Sequence, residues 1–111
     1  MTFLYLNSDE MGQGDPELGK KLMRIFLENL VNADVEIDYI ACVNSAIHLT
    51  TKGSYVVNSL QRLQDAGAQI TSCGTCLDHF NKRDDLVIGE VGTMRQTIEL
   101  MHMADKVIRP N

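Results

Sequence analysis

Apolar residues along this chain fall into short β-rich runs separated by stretches of helical spacing, from one end to the other. Phe3 to Asn7 predicts a first strand. After a loop with glycines at 12 and 14, Asp15 reads as an N-cap with Pro16 in the first helical position, and Leu18, Leu22, Ile25, Phe26 and Leu30 form a stripe at helical spacing. Val35 to Val43 predicts a second strand, alternating first and then apolar on both faces, as a strand inside a parallel sheet is. Ser54 is placed to cap a helix carrying Val57, Leu60 and Leu63 on its inward face, with Gly67 at its end, and Ala68 to Ser72 predicts the third strand. A short helix runs through Leu77 and Phe80. Leu86 to Ile88 predicts a fourth strand closed by Gly89 and Gly92. Thr93 and Gln96 fit a capping box, Ile98, Met101 and Ala104 continue the face of that helix, and Lys106 to Arg109 predicts the last strand.

This βαβα order predicts a three-layer α/β/α sandwich around a mainly parallel five-stranded sheet, within a single domain spanning residues 1–111. Ligands of open α/β sheets bind beyond the C-terminal ends of the strands, so Asn7 to Asp15, Asn44 to Gly53 and the turn at Cys73 to Cys76 are expected to converge. Asn44 and His48 after the second strand, and Met11 and Gly12 after the first, are candidates to line that cleft.

Composition and charge narrow the function classes. No apolar run approaches the roughly 20 residues of a membrane span, and the start of the chain lacks a basic then apolar leader, which predicts no membrane contact and a cytoplasmic location. The net charge is −5, the ten basic residues are scattered and tryptophan is absent, so nucleic acid is excluded as the expected partner. The glycine-bearing loop from Asp9 to Gly19 fits neither common phosphate-loop spacing, and its carboxylates would repel an anion. No cofactor is expected. Three cysteines without an export signal point to reduced thiols rather than a disulfide framework.

The chemistry concentrates in Cys73-Gly74-Thr75-Cys76, where a strand hands over to a helix. A helix N-terminus favours a thiolate over a thiol. Cys73, at the junction, is therefore the candidate to attack or carry sulfur, and Cys76, about one turn in, to resolve a mixed disulfide. Asp78 opposes a neighbouring thiolate, so the net effect on the pair cannot be signed from sequence. A Cys-x-x-Cys pair serves thiol–disulfide exchange, persulfide transfer or half of a zinc site. Zinc finds only three ligands here, Cys73, Cys76 and His79, so no metal is expected. A thioredoxin-like site would be expected to set a proline loop against the dithiol, and the only prolines are Pro16 and Pro110. Free cysteine also packs as a small hydrophobe, which is the expectation for Cys42 inside the second strand and an open alternative for the pair. Met94, Met101 and Met103 beside His102 suit core or subunit packing better than soft-metal binding, and suggest a homo-oligomer.

With Cys73-Gly74-Thr75-Cys76-Leu77-Asp78 after the third strand, Asn7-Ser8-Asp9-Glu10-Met11-Gly12 after the first and Ala104-Asp105-Lys106-Val107-Ile108 near the end, the chain resembles the DsrE/DsrF-like family. It is most similar to the C-terminal domain of YedF-type sulfurtransferase-like proteins. The resemblance implies a small, commonly oligomeric α/β/α sandwich whose cysteine at the end of the third strand, here Cys73, carries a persulfide handed between proteins in members that act in sulfur relay. The Cys-Pro-x-Pro segment of a TusA-like domain is absent, which implies a separate sulfur donor or acceptor protein, such as a TusA-like protein. The function expected from these observations is a sulfur carrier or sulfurtransferase-like protein using a cysteine persulfide. The alternative is a non-enzymatic oligomeric module that binds a small ligand or regulates, with cysteines that only pack.

Overall fold

A computed structural model describes residues 1–111. Strand β1, Thr2–Leu6, leads through the first loop to helix α1, Pro16–Asn32, which opens as expected: the Asp15 carboxylate accepts the N–H of Leu18, and Pro16 follows it. Strand β2, Tyr39–Cys42, runs into a 3-10 helix at Asn44–Leu49, followed by helix α2 at Val57–Asp65. Strand β3, Gln69–Cys73, passes directly into helix α3, Gly74–His79. Strand β4 is Glu90–Gly92, helix α4 is Met94–Met103 with Thr93 accepting the N–H of Gln96 at its start, and strand β5 is Lys106–Ile108.

All pairings are parallel and the sheet order is β4-β3-β2-β1-β5. The register sets Phe3 beside Tyr39, Ile40 beside Ile70 and Thr71 beside Glu90. The period of two along each strand divides the core. Leu4, Leu6, Ile40, Cys42 and Ile70 face one side with Met23 and Leu27 of α1, Leu60 of α2 and Leu77 of α3, and form the larger cluster. Phe3 and Ala41 face the other side, covered by Leu100 of α4 with Met101 and Ala104 at the margin. Three helices on one face and one on the other complete the α/β/α sandwich.

Several expected boundaries and faces change. The fourth strand is not Leu86 to Ile88: Leu86 forms an isolated antiparallel bridge with Thr51 and the Val87 N–H donates to the Thr50 carbonyl, so this run is held by the segment after β2. The strand forms after Gly89, whose φ of +77° lets the chain pass against the Ile70 carbonyl. The second strand shortens to its buried half, with Val35 left 44% exposed. Ser54 does not cap α2. Its hydroxyl accepts the N–H of Val56, and the helix begins one residue later without a side-chain cap. On α1 the buried positions are Gly19, Met23, Leu27 and Leu30, whereas Leu18, Leu22 and Ile25 face outward, as does Ile98 on α4. Gly19 carries this rotation, because a Cβ there would lie 2.9 Å from that of Glu10.

Candidate functional site

Cys73 ends β3 and caps α3 with extended backbone, φ −60° and ψ 122°, so the strand turns into the helix within one residue. Its position in the sheet is fixed by pairing with Gly92 of β4. Leu77, fully buried, anchors α3 to the main core. That anchor leaves Thr75 exposed and Cys76 half-buried, with His79 on the same side as Cys76 three residues later. A pocket of about 290 Å³ is lined by Asn44, Thr75, Cys76, His79 and Phe80.

The two cysteines differ in burial and in partners. Cys73, expected to be the accessible sulfur, is 8% exposed and makes no side-chain capping hydrogen bond to the helix it opens. Each cysteine borders a pocket, Cys76 the one described above and Cys73 a second of about 300 Å³ that it lines with Asp78, Arg83 and Val91, but Cys76 is the less buried of the two and its sulfur receives an amide. The Asn44 N–H donates to Cys76 Sγ at 3.1 Å, from the start of the 3-10 helix after β2 rather than from α3 itself. Burial is the largest influence on Cys76 and raises its thiol above the ordinary range. The Asn44 N–H opposes this, and the adjacent Cys73 thiol adds to it. At Cys76 desolvation outweighs the amide.

The surroundings of α3 explain two further features. Asp78, expected to oppose a thiolate, is engaged by Arg83, whose Nε donates to Oδ1 at 2.7 Å and whose Nη2 donates to Oδ2 at 3.0 Å. The Arg83 guanidinium holds the Asp78 carboxyl below the usual carboxylate range and neutralises its charge locally. Cys42 is fully buried in β2, and burial pushes its thiol up to about 12, the behaviour of a packing residue.

The three segments expected to converge do so in pairs. The Asp9 N–H donates to Ser45 Oγ at 3.3 Å, Tyr55 Oη donates to the Asp9 carbonyl at 2.7 Å, and Asn44 reaches Cys76. Asn44 is one of the residues that line the pocket. His48 stands behind the wall: its ring meets that of Phe80 edge-on at 4.7 Å, and Lys82 Nζ lies 2.9 Å from its Nδ1. Desolvation, then the Lys82 charge, lowers the His48 pKa. Met11 and Gly12 lie outside the pocket. Met11 packs against the main core and lines an apolar groove with Leu22 and Phe26 of α1, while Gly12 is exposed. Cys73, Cys76 and His79 are not gathered into a group able to hold a metal ion. Phe80, read from sequence only as part of a short helix, forms a wall of the pocket. The Cys76 and His79 spacing was the available signal for the pocket, whereas nothing local indicated the Asn44 amide.

The position of the site departs from the usual switch-point cleft. With the order β4-β3-β2-β1-β5 the strand order reverses at β1, yet the cysteines lie at and just beyond the end of β3 and the amide beyond β2.

A family model described as the DsrE/DsrF-like family matches residues 38–110, a span that includes both cysteines of the pair. No curated protein matches the chain in sequence. Among solved structures, the ychN protein from E. coli superposes with a TM-score of 0.72 at 18% identity, over 98% of this chain and 99% of that one. A protein of unknown function from Methanobacterium thermoautotrophicum, MTH1491, superposes with a TM-score of 0.71 at 17% identity, over 98% and 97% of the two chains. At these identities the likeness shows the fold. No helix is long and apolar enough to cross a membrane.

Proposed function

Since this chain belongs to the DsrE/DsrF-like family, one generally linked to sulfur relay, we propose that it is a sulfur carrier in which Cys76 receives sulfane sulfur as a persulfide. Cys73 is its resolving partner. The observation that carries this reading is the half-buried Cys76 sulfur facing a pocket of about 290 Å³, with a second thiol beside it. The roles assigned from sequence are thereby exchanged, because Cys73 is the more enclosed of the two.

In the loading step the Cys76 thiolate attacks the outer sulfur of a donor persulfide, R–S–SH. The donor S–S bond breaks and R–S⁻ leaves with its electron pair, taking up the thiol proton, and Cys76–S–SH is formed. An acceptor thiol reverses the same chemistry. If no acceptor arrives, the Cys73 thiolate attacks the inner sulfur of Cys76. The outer sulfur then leaves as hydrosulfide, and a Cys73–Cys76 disulfide remains that an external dithiol reduces. A thiol whose ionisation burial opposes suits transfer from a docked donor rather than scavenging from solution. The donor or acceptor implied by the family resemblance is a separate protein such as a TusA-like protein. The outward-facing Leu18, Leu22 and Ile25 of α1 and Met94 and Ile98 of α4 support association with further copies, and sedimentation at micromolar concentration distinguishes an oligomer from a monomer.

Intact-mass measurement after incubation with a sulfane donor tests the reading. The wild-type chain is expected to gain one sulfur or to become the Cys73–Cys76 disulfide with hydrosulfide released. A Cys73→Ser variant should retain the added sulfur, and a Cys76→Ser variant should take up none. An unmodified wild-type chain, or equal labelling of Cys76→Ser, overturns it and favours a module whose cysteines only pack.

A further inference from the structure

Asn44 has φ +52°, and it is one of two residues other than glycine in the left-handed region. That conformation is unfavourable for residues with a Cβ and is tolerated best by asparagine among them. It falls at the first residue of the 3-10 helix, two residues beyond β2, where the backbone N–H turns to the Cys76 sulfur at 3.1 Å. Asn44 is exposed and its side chain makes no hydrogen bond that would account for the conformation. The neighbouring residues hold the segment in place: Ala46 and Ile47 are fully buried, and Ser45 accepts the Asp9 N–H.

We propose that Asn44 is a positioning residue for the thiol chemistry of Cys76: its left-handed backbone aims one amide N–H at the sulfur and keeps it there when the sulfur carries charge. An N–H donor fixed in place stabilises an anion more than the neutral thiol, and it does so without rearrangement at the moment of transfer. The inference rests on the sulfur-carrier reading for its purpose and on geometry alone for its content. The charged and titratable groups around this sulfur are few. Cys73 adjoins it from β3 and His79 shares its side of α3, while His48 and Lys82 stand behind Phe80.

The test is the pH profile of Cys76 alkylation by iodoacetamide in the full chain, read by peptide mass so that each cysteine is followed separately. Asn44→Gly keeps both the N–H and the access to positive φ, and is expected to retain the wild-type profile. Asn44→Val disfavours positive φ, and is expected to move the midpoint up by about one pH unit and slow the reaction near neutral pH by roughly tenfold. Asn44→Ala should fall between them and carries the test if the valine variant does not fold. A folded Asn44→Val or Asn44→Ala chain with the wild-type profile, or Asn44→Gly as impaired as valine, overturns the inference. This readout is separate from sulfur uptake: a chain that gains no sulfur yet shows the Asn44-dependent profile loses the relay function and keeps the positioning role.

Discussion

Asn44 and Cys76 lie 32 residues apart in sequence and meet through a backbone N–H and a sulfur at 3.1 Å. The contact joins the 3-10 helix after β2 to the first turn of α3, so the surroundings of the thiol come from a neighbouring segment as well as from its own helix. Burial still dominates, and it dominates more strongly at Cys42 than at Cys76.

Cysteine reactivity should therefore follow the order Cys76 before Cys42. Alkylation of Cys76 is expected to keep accelerating above pH 9, whereas Cys42 stays silent until the pH nears about 12 or the chain unfolds. Site-resolved mass spectrometry between pH 7 and 10 checks this, and comparable rates at the two cysteines would refute it.

Alkaline stability follows from the same burial. The folded chain retains the Cys42 proton up to about 12, and the unfolded chain releases it near the ordinary 9.0. Between those values the unfolded state binds fewer protons, so stability is complete below pH 9 and declines by up to about 1.4 kcal/mol per pH unit above it. Tyr55 acts in the same direction, raised from 10.0 to about 12 by burial and then by the Asp9 and Glu10 charges. Urea midpoints at pH 7.5 and 10 should separate, with a smaller separation in Cys42→Ala. Equal separations in the two chains would show that Cys42 is not the titrating group.

Beside the site, Thr50 and Ser72 share a buried hydrogen bond of 2.6 Å, and Thr50 also donates to the Ile47 carbonyl at 3.1 Å. Thr50 has one proton, so Ser72 is the donor of the pair. Ser72→Ala leaves every remaining donor satisfied and should cost about 1 kcal/mol, whereas Thr50→Val strands the Ser72 hydroxyl in the core and should cost about 2 to 3 kcal/mol. Denaturant titration of the two variants gives the order, and a larger loss in Ser72→Ala would reverse the donor assignment.

Two glycines with similar backbone angles should behave differently. A Cβ at Gly89, φ +77°, would lie 2.5 Å from the Ile70 carbonyl oxygen, while one at Gly53, φ +87°, meets nothing within 4 Å. Gly53→Ala is expected to cost about 1 to 2 kcal/mol for the angle alone, and Gly89→Ala at least about 3 kcal/mol because the β3–β4 junction must also open. Thermal melts compare them directly, and equal losses would remove the backbone contact as the cause.

Leu77 links the core to the chemistry. Leu77→Ala leaves a cavity under α3 and should destabilise the chain by about 2 to 5 kcal/mol. The same change should loosen the Cys76 contact with Asn44, so that the Cys76 alkylation profile shifts upward in chains that are still folded. A profile unchanged in the folded variant would mean that α3 is positioned by something other than this side chain.

The sequence by itself determined what local rules govern: the alternation of strands and helices, the start of α1 at Asp15 and Pro16, the cap at Thr93, and the placing of two cysteines where a strand becomes a helix. Those features depend on neighbours a few residues away, which pattern and capping chemistry record. The motif resemblance reached the family by the same local route. Tertiary structure alone decided which stripe of α1 is buried, because the close approach of Gly19 to Glu10 turns Leu18 and Leu22 outward. It also moved β4 to Glu90–Gly92, since Leu86 and Val87 are claimed by Thr51 and Thr50. Above all it decided which sulfur accepts an amide, for the N–H contributed by Asn44 and the burial of Cys73 arise from segments packed side by side, a relation that spacing along one segment does not encode.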